Sequence, residues 1–454
     1  MSSHLLVIAR WKELSSGTLN RRIFSAAVIV GVLTLSVKML GMLKEMQVAG
    51  WFGTGDSLDA FLVAFVLPSF AINVLAGSMS AALIPVFVQV REKEGREAAQ
   101  RLFSGTLVFS AVLLTAVTLL LGFAGPYLLP WLCSGFGPSK LKLTSDLFYL
   151  LLPGILVTGL TMNCEAALNA GERFALAALA PGLVPMVMMG TLAAAGSVWG
   201  IHALAYGLVA GFVAHFTVVA VALRTRELRV HLRWHGFEPP LRRVIQQYLP
   251  ATASAAIMCS TLLVDQSMAS MLLPGSVAAL SFGNKIVALI LTVGTMALGT
   301  AVLPYFSKMV AAAEWSSLRR TLGTYIRLIL IITIPLTIAS ILVSKPLTAL
   351  LYERGQFRPE DTSLVASVQS MFLIQVPFYT LTILFVRMIS SLQANQALMW
   401  GTVLSFAINV GLNYVLMHRM GVAGIALSTS IVYGVLSMFL GVVLWRKLHR
   451  SSCA

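Results

Sequence analysis

Charge is what this sequence has least of. Only 11% of its 454 residues are Asp, Glu, Lys or Arg, whereas 58% are hydrophobic, against about 25% charged in soluble domains. The mean hydropathy is +0.86. A water-soluble fold of this length has too little interior to hide so much apolar surface, so lipid is the solvent for most of the chain. Acids are the scarcer sign: 17 Asp and Glu stand against 32 Lys and Arg, a formal net charge of +15. So few charges exclude a disordered chain and a nucleic-acid partner, and the basic excess fits the cytoplasmic loops of a membrane protein. Cys133, Cys164, Cys259 and Cys453 show no CxxC or ligand spacing, which argues against a disulfide framework or a zinc site and leaves them as small apolar filler. The seven histidines form no metal pattern, and P-loop, HExxH and GxSxG motifs are missing. No segment between apolar runs could hold a soluble catalytic domain. Neither an enzyme nor a self-contained ATP-driven pump is expected, and no cofactor other than a coupling sodium ion or proton.

What is present is a series of apolar runs. A helix needs roughly 20 such residues to cross the hydrocarbon core. Twelve qualify, at 23–43, 59–88, 103–132, 147–164, 174–198, 201–223, 249–272, 277–306, 327–351, 364–391, 398–417 and 422–445. With the N-terminus inside, 22 Lys and Arg fall in inner segments and 6 in outer ones (Lys44, Lys140, Lys142, Arg354, Arg358 and Arg419). That asymmetry satisfies the positive-inside rule and puts both termini in the cytoplasm. Arg21 and Arg22 precede an apolar run, but no small-residue cleavage site follows, so the first helix is expected to be retained rather than cleaved as a signal peptide.

The two halves match at a shift of about 220. The string AALIPVF at 81–87 lies over TAVLPYF at 300–306, PYLLPWLCSGFG at 126–137 over PLTALLYERGQF at 346–357, and GIHALAYG at 200–207 over GVAGIALS at 421–428. Each half therefore holds six helices and starts inside, which makes the repeat parallel. The expected architecture is an all-α integral membrane protein of about twelve transmembrane helices. Two six-helix lobes, 23–223 and 249–445, surround a central cavity and rock against each other. Residues 1–22 form a cytoplasmic segment, 224–248 a basic cytoplasmic linker and 446–454 a cytoplasmic tail. The linker's arginines suit topology and contacts with anionic membrane lipids.

Ionisable groups inside a span are costly and are functional candidates by default. Lys38, Asp265 and Lys285 lie in helices 1, 7 and 8, each roughly 10 Å from the outer helix end at 1.5 Å per residue. One reading has the lysines facing the cavity to hold an anion while Asp265 sets local charge or binds a proton or sodium ion. The other pairs Asp265 with a lysine. Lys44 and Glu45 are expected as an exposed pair at the outer mouth, and Asn73 and Asn284 as polar neighbours of the anion. Pro68 and Pro85 with Gly77 in helix 2, and Pro304 with Gly299 in helix 8, interrupt helical hydrogen bonding. They mark gate helices that bend as the cavity changes sides, unless their small residues serve only close packing.

The stretch GWFGTGDSLDAFLVAFVLPSF at 50–70, with LNAGERFALAALAPGL at 168–183, ALGTAVLPYFSK at 297–308 and PLTALLYERGQF at 346–357, resembles the MviN/MurJ family. These are lipid II flippases of the multidrug/oligosaccharidyl-lipid/polysaccharide exporter superfamily. The resemblance runs over all twelve helices. It implies a V-shaped pair of lobes and export of an undecaprenyl-pyrophosphate-linked saccharide across a bacterial inner membrane, beside glycan-assembly enzymes. By motif position, the family's two helix-1 arginines fall on Lys38 and Lys44 and its helix-8 arginine on Lys285. Charge is kept, but the bidentate guanidinium fork is lost. The paired helix-2 arginines fall at Ile72 and Asn73, the following glutamate is missing, and two further C-terminal helices find no counterpart. A surface-glycan unit such as exopolysaccharide is therefore expected as readily as lipid II. A cation-coupled multidrug exporter of the same superfamily is the alternative, although it would be expected to rely on intramembrane acids.

Overall fold

The computed structural model describes residues 19–171, 174–224, 230–312, 314–392 and 394–450. Residues 1–18 and 451–454, which include Cys453 and the outermost parts of the expected terminal segments, lie outside the described residues. The described residues are almost wholly helical and contain no strand. Twelve long rods succeed one another: α1 Leu19–Phe52, α2 Asp56–Lys93, α3 Arg96–Leu132, α4 Pro138–Ala170, α5 Phe174–Trp199, α6 Ile201–Arg224, α7 Pro239–Ser270, α8 Ser276–Ala311, α9 Trp315–Leu342, α10 Pro359–Ser391, α11 Asn395–Met420 and α12 Val422–Arg450. A short helix, Ser344–Tyr352, joins α9 to α10. Ten of the rods are long and apolar enough to span a bilayer. The other two, α1 and α8, are 34 and 36 residues long and carry the intramembrane lysines.

Each expected span but 327–351 overlies one rod, and most of the rods run further. Helix α7 starts at Pro239, inside the segment expected to be linker, and among the described residues there 230–238 is irregular. Its first turns are amphipathic: Leu241, Val244 and Tyr248 are buried at helical spacing, while Arg242 and Arg243 are exposed. A search for uniformly apolar runs passes over such turns. Helix α9 likewise begins at Trp315 with Leu318 and Leu322 buried. The span expected at 327–351 is therefore two helices that break at Val343.

The repeat is visible in the backbone. Left-handed glycines turn the chain after α1 and after α7 (Gly53, φ +55°, and Gly275, φ +85°), and again after α5 and α11 (Gly200, φ +53°, and Gly421, φ +60°). Both α4 and α10 break in mid-course, at Leu152 just before Pro153 and at Ile374, three residues before Pro377.

Packing differs between the two ends of the bundle. At the basic end, where α2, α6, α8 and α12 finish, the buried side chains form two separate clusters. One belongs to α2–α6 with the first turns of α7, and the other to α8–α12. At the far end two clusters each mix residues of both halves, such as Phe61 and Leu147 with Phe282 and Phe357, or Val63 and Leu132 with Val368 and Ile425. The halves are fused at the far end and joined near the basic end through α7.

Backbone contact completes the far-end seal. Gln356 N–H donates to Gly50 O at 2.9 Å, and any side chain at Gly355 would run into the Gly50 backbone. Gly275 presses on Thr54, and Gly135 on Ser270, with Ser270 Oγ donating to Leu132 O at 3.0 Å. Thr54 donates to Asp361 across the halves. At the centre lies Asp59, 1% exposed. It accepts from the N–H groups of Gly275 (2.7 Å) and Ala278 (2.8 Å) at the start of α8 and from Lys140 Nζ (2.8 Å). A carboxylate from one half thus caps the positive end of a helix in the other. Cys133 beside this seal is a buried free thiol that burial pushes up to about 12, consistent with filler.

D59A should open the seal. Losing a buried, charge-assisted contact costs about 3 kcal/mol, so the ratio of open to closed far ends should rise by roughly two orders of magnitude. Labelling of a Leu58→Cys reporter by an impermeant maleimide, in a background without the native cysteines, checks this. An unchanged rate would contradict it.

Candidate functional site

A cavity of about 640 Å³ lies between the halves on the protected side of the seal. Helices α1, α2, α5 and α6 of the first half line it, and α8 of the second closes it. Its wall is mostly aliphatic and aromatic, with Phe61 and Phe65 from α2. Four charged side chains interrupt that wall: Lys38, Lys44 and Glu45 on α1, and Lys285 on α8.

Three of the four form one cluster. Glu45 Oε1 accepts from Lys44 Nζ at 2.7 Å and from Lys285 Nζ at 2.8 Å. The glutamate side chain is 11% exposed and Lys44 18%, whereas Lys285 keeps 39% of its surface open. Lys38 lies six residues before Lys44, about 9 Å further toward the basic end. It is exposed and has no ion-pair partner among the described residues. Three ammoniums against one carboxylate leave two positive charges uncompensated beside a largely apolar wall. Such a site attracts a dianion more strongly than the same lysines would in water.

Lys38, Lys44 and Lys285 therefore share the cavity, as the anion reading expects. Lys44 and Glu45 are not an exposed pair at a mouth, because α1 continues to Phe52 and encloses both within the bundle. The same extension places Lys38 nearer the basic end than the Lys44–Glu45–Lys285 cluster, so Lys38 and Lys285 do not share the equal depth expected of them. Asp265 pairs with neither lysine. Its Oδ1 accepts from Asn413 Nδ2 at 2.6 Å and Asn409 Nδ2 at 3.2 Å, both on α11 in the second half. The two asparagines are 0% and 2% exposed, and Asn413 Oδ1 has no partner.

The asparagines expected at the anion stand elsewhere. Asn73 is exposed and donates to Ser69 O at 2.8 Å, and neither Asn73 nor Asn284 is among the described cavity-lining residues. Helix α2 carries the irregularity expected of a gate. Pro68 is followed at Ile72–Ala76 by a π-helical turn that ends at Gly77, a form of local unwinding common at functional sites. Pro85 lies two turns further on, exposed. Gly299 and Pro304 fall within α8, and their surroundings lie outside what is described.

Sequence reasoning passed over Asp59, Asn409 and Asn413. Each had a signal. Asp59 is a lone acid inside SLDAFLVAF, and Asn409 and Asn413 are two amides one helical turn apart in an otherwise apolar rod, where i and i+4 share a face. Glu45 was noticed, but its partner on α8 is fixed only by the tertiary fold.

Comparison with known proteins follows the same geometry. The family model for the lipid II flippase MurJ matches residues 48–452. A probable lipid II flippase MurJ of Rhizobium tropici is 27% identical over 433 residues, 93% of this chain and 81% of that protein. The lipid II flippase MurJ of Burkholderia cenocepacia is 26% identical over 427 residues, covering 90% and 81%. Among solved structures, lipid II flippase MurJ in an inward closed conformation superposes with a TM-score of 0.77 at 19% identity, over 94% of this chain and 90% of that one. An inward-facing multidrug resistance MATE family transporter of the MOP superfamily gives 0.78 at 14% identity, over 94% and 99%. These structures share the fold, and the match along nearly the whole chain shows that this multi-pass membrane protein belongs to the MurJ lipid II flippase family.

Proposed function

We propose that this chain is a flippase that carries a polyprenyl-pyrophosphate-linked saccharide, lipid II or a surface-glycan unit of the same linkage, from the inner to the outer leaflet of a bacterial inner membrane. The observation that carries this reading is the three-lysine cavity between the halves, with its two uncompensated positive charges. A pyrophosphate diester bears two negative charges, which matches that excess. Sugars and phosphates cannot enter hydrocarbon unaided, since each unsatisfied polar group costs several kcal/mol. A cationic pocket removes that barrier for the headgroup while the polyprenyl tail stays in lipid.

The charge asymmetry makes the basic end cytoplasmic and both termini internal. The sealed far end is then the outer face, and the described conformation is ready to load from inside. Lys38, nearest the cytoplasm, meets the phosphates first. Lys44 and Lys285 receive them next, as Glu45 releases its two ammoniums. Because Lys44 and Lys285 belong to different halves, an anion between them draws α1 and α8 together. Opening then requires the Asp59 cap and the Gly50–Gln356 contact to part, and the π turn of α2 gives that helix a place to bend. A dianion moving outward across a negative-inside potential gains about 4.6 kcal/mol per 100 mV, enough to bias the cycle toward export.

Asp265 with Asn409 and Asn413 supports a separate coupling site for sodium or a proton. The carboxylate and the unpartnered Asn413 Oδ1 are oxygen ligands of the kind hard cations prefer, and they are remote from the lysines. The multidrug reading is disfavoured by the same separation, because a cationic drug would enter a cavity whose net charge repels it.

Two outcomes are expected. In proteoliposomes, K285A should slow flipping of a polyprenyl-pyrophosphate disaccharide at least tenfold, the scale of one lost charge-assisted hydrogen bond, and K38A should act chiefly on KM. Normal rates in both variants would overturn the assignment. D265N should leave binding of the lipid intact within twofold and abolish any dependence of the rate on an inward sodium or proton gradient. A gradient dependence that survives D265N would remove Asp265 from the coupling.

A further inference from the structure

Glu45 holds two ammoniums on a single oxygen, Oε1, and among the described residues no donor reaches Oε2. When phosphate takes Lys44 and Lys285, the carboxylate loses both partners inside an apolar wall. An uncompensated buried charge is strongly destabilising, so binding is tight only if another donor receives it.

Tyr352 is placed to be that donor. It ends the short helix that precedes α10, in the second half, and is 0% exposed. Its ring is held between Phe282 (centroids 5.0 Å apart) and Phe357 (5.8 Å). Its hydroxyl projects onto α1 and meets Met42 Sδ at 3.5 Å. A thioether is a weak acceptor, so a buried phenol donor is poorly used in this conformation. Met42 and Glu45 are three residues apart on α1 and both line the cavity, and residues at that spacing share a helix face. A change of Glu45 rotamer of the kind needed to leave Lys285 moves the carboxylate along that face, toward the hydroxyl.

We propose that Tyr352 is a positioning residue for substrate binding: its hydroxyl exchanges Met42 for the Glu45 carboxylate when the substrate's phosphates take the lysines. No proton is transferred. One O–H···S contact is replaced by an O–H···O⁻ hydrogen bond, while two ammonium–carboxylate contacts become ammonium–phosphate contacts. The exchange also links the cavity to the seal, because Tyr352 is four residues before Gln356, whose N–H holds Gly50. This inference rests on the phosphate-binding reading of the lysines.

The test is equilibrium binding of undecaprenyl pyrophosphate to full-length protein in nanodiscs, for wild type, Y352F, E45Q and E45Q/Y352F, with K285A as a control. Y352F removes one oxygen and keeps the ring, and its thermal stability without lipid should match wild type. Y352F should weaken binding roughly tenfold, the effect of a hydrogen bond to a charged group. In the E45Q background, where no carboxylate is displaced, the same change should alter binding less than twofold. Equal losses in both backgrounds would mark Tyr352 as merely structural and overturn the proposal, as would undiminished binding by Y352F. If K285A binds like wild type, the phosphate reading itself falls, and the Tyr352 inference with it. Weakening by K285A alongside a background-independent Y352F would refute only the role of Tyr352.

Discussion

One carboxylate oxygen shared by two ammoniums from opposite halves is the contact on which the rest depends. Taken alone, Lys44 and Lys285 would repel each other across the cavity and push α1 from α8. Glu45 turns that repulsion into a bridge between the halves, and it does so in surroundings where Coulomb energies are several times those in water. Because the bridge is made of charge alone, another anion can replace it. A hydrophobic contact of equal strength would hold the halves as well but would offer a phosphate nothing to exchange. In the proposed function, Glu45 is an internal mimic of the ligand that holds the site in readiness.

The far-end seal is of a different kind. There the halves meet backbone to backbone, through glycines that leave no room for side chains and through Asp59 at the start of α8. Such contacts are short and directional, so they hold or part as a unit rather than stretching. The basic end has separate hydrophobic clusters in the two halves and no comparable set of crossing hydrogen bonds among the described residues. A molecule fused at one end and divided at the other already has the asymmetry that alternating access requires. Only the means of exchanging ends has to come from the ligand and the potential.

Much of this was legible before any coordinates. Span number, the repeat and the lysines follow from strong signals, because twenty apolar residues and a buried charge have few interpretations in lipid. Helix ends were not legible where the turns are amphipathic, as at Leu241–Tyr248. Nor were partners. Lys44 and Glu45 are adjacent in sequence and look like a self-contained surface pair, and only the crossing of α1 and α8 brings in Lys285. Asp265 was read beside the lysines because depth along a helix is visible in sequence, whereas the direction a side chain faces around the bundle is not. The duplication sharpens the point. Glu45 and Asp265 are 220 residues apart, the shift that relates the two halves. Equivalent positions in the two halves hold acids of the same charge, yet one serves lysines and the other asparagines. One repeated position thus has two electrostatic surroundings, ammoniums in the first half and side-chain amides in the second.

Amine-selective labelling read by mass spectrometry tests the central claim most directly. Lys38, Lys44 and Lys285 would be acetylated in the membrane-embedded protein with and without saturating polyprenyl-pyrophosphate lipid. Protection of all three together, with surface lysines such as Lys93 unchanged, is the predicted result. Labelling of Lys285 that stays the same while the lipid is bound would contradict the account.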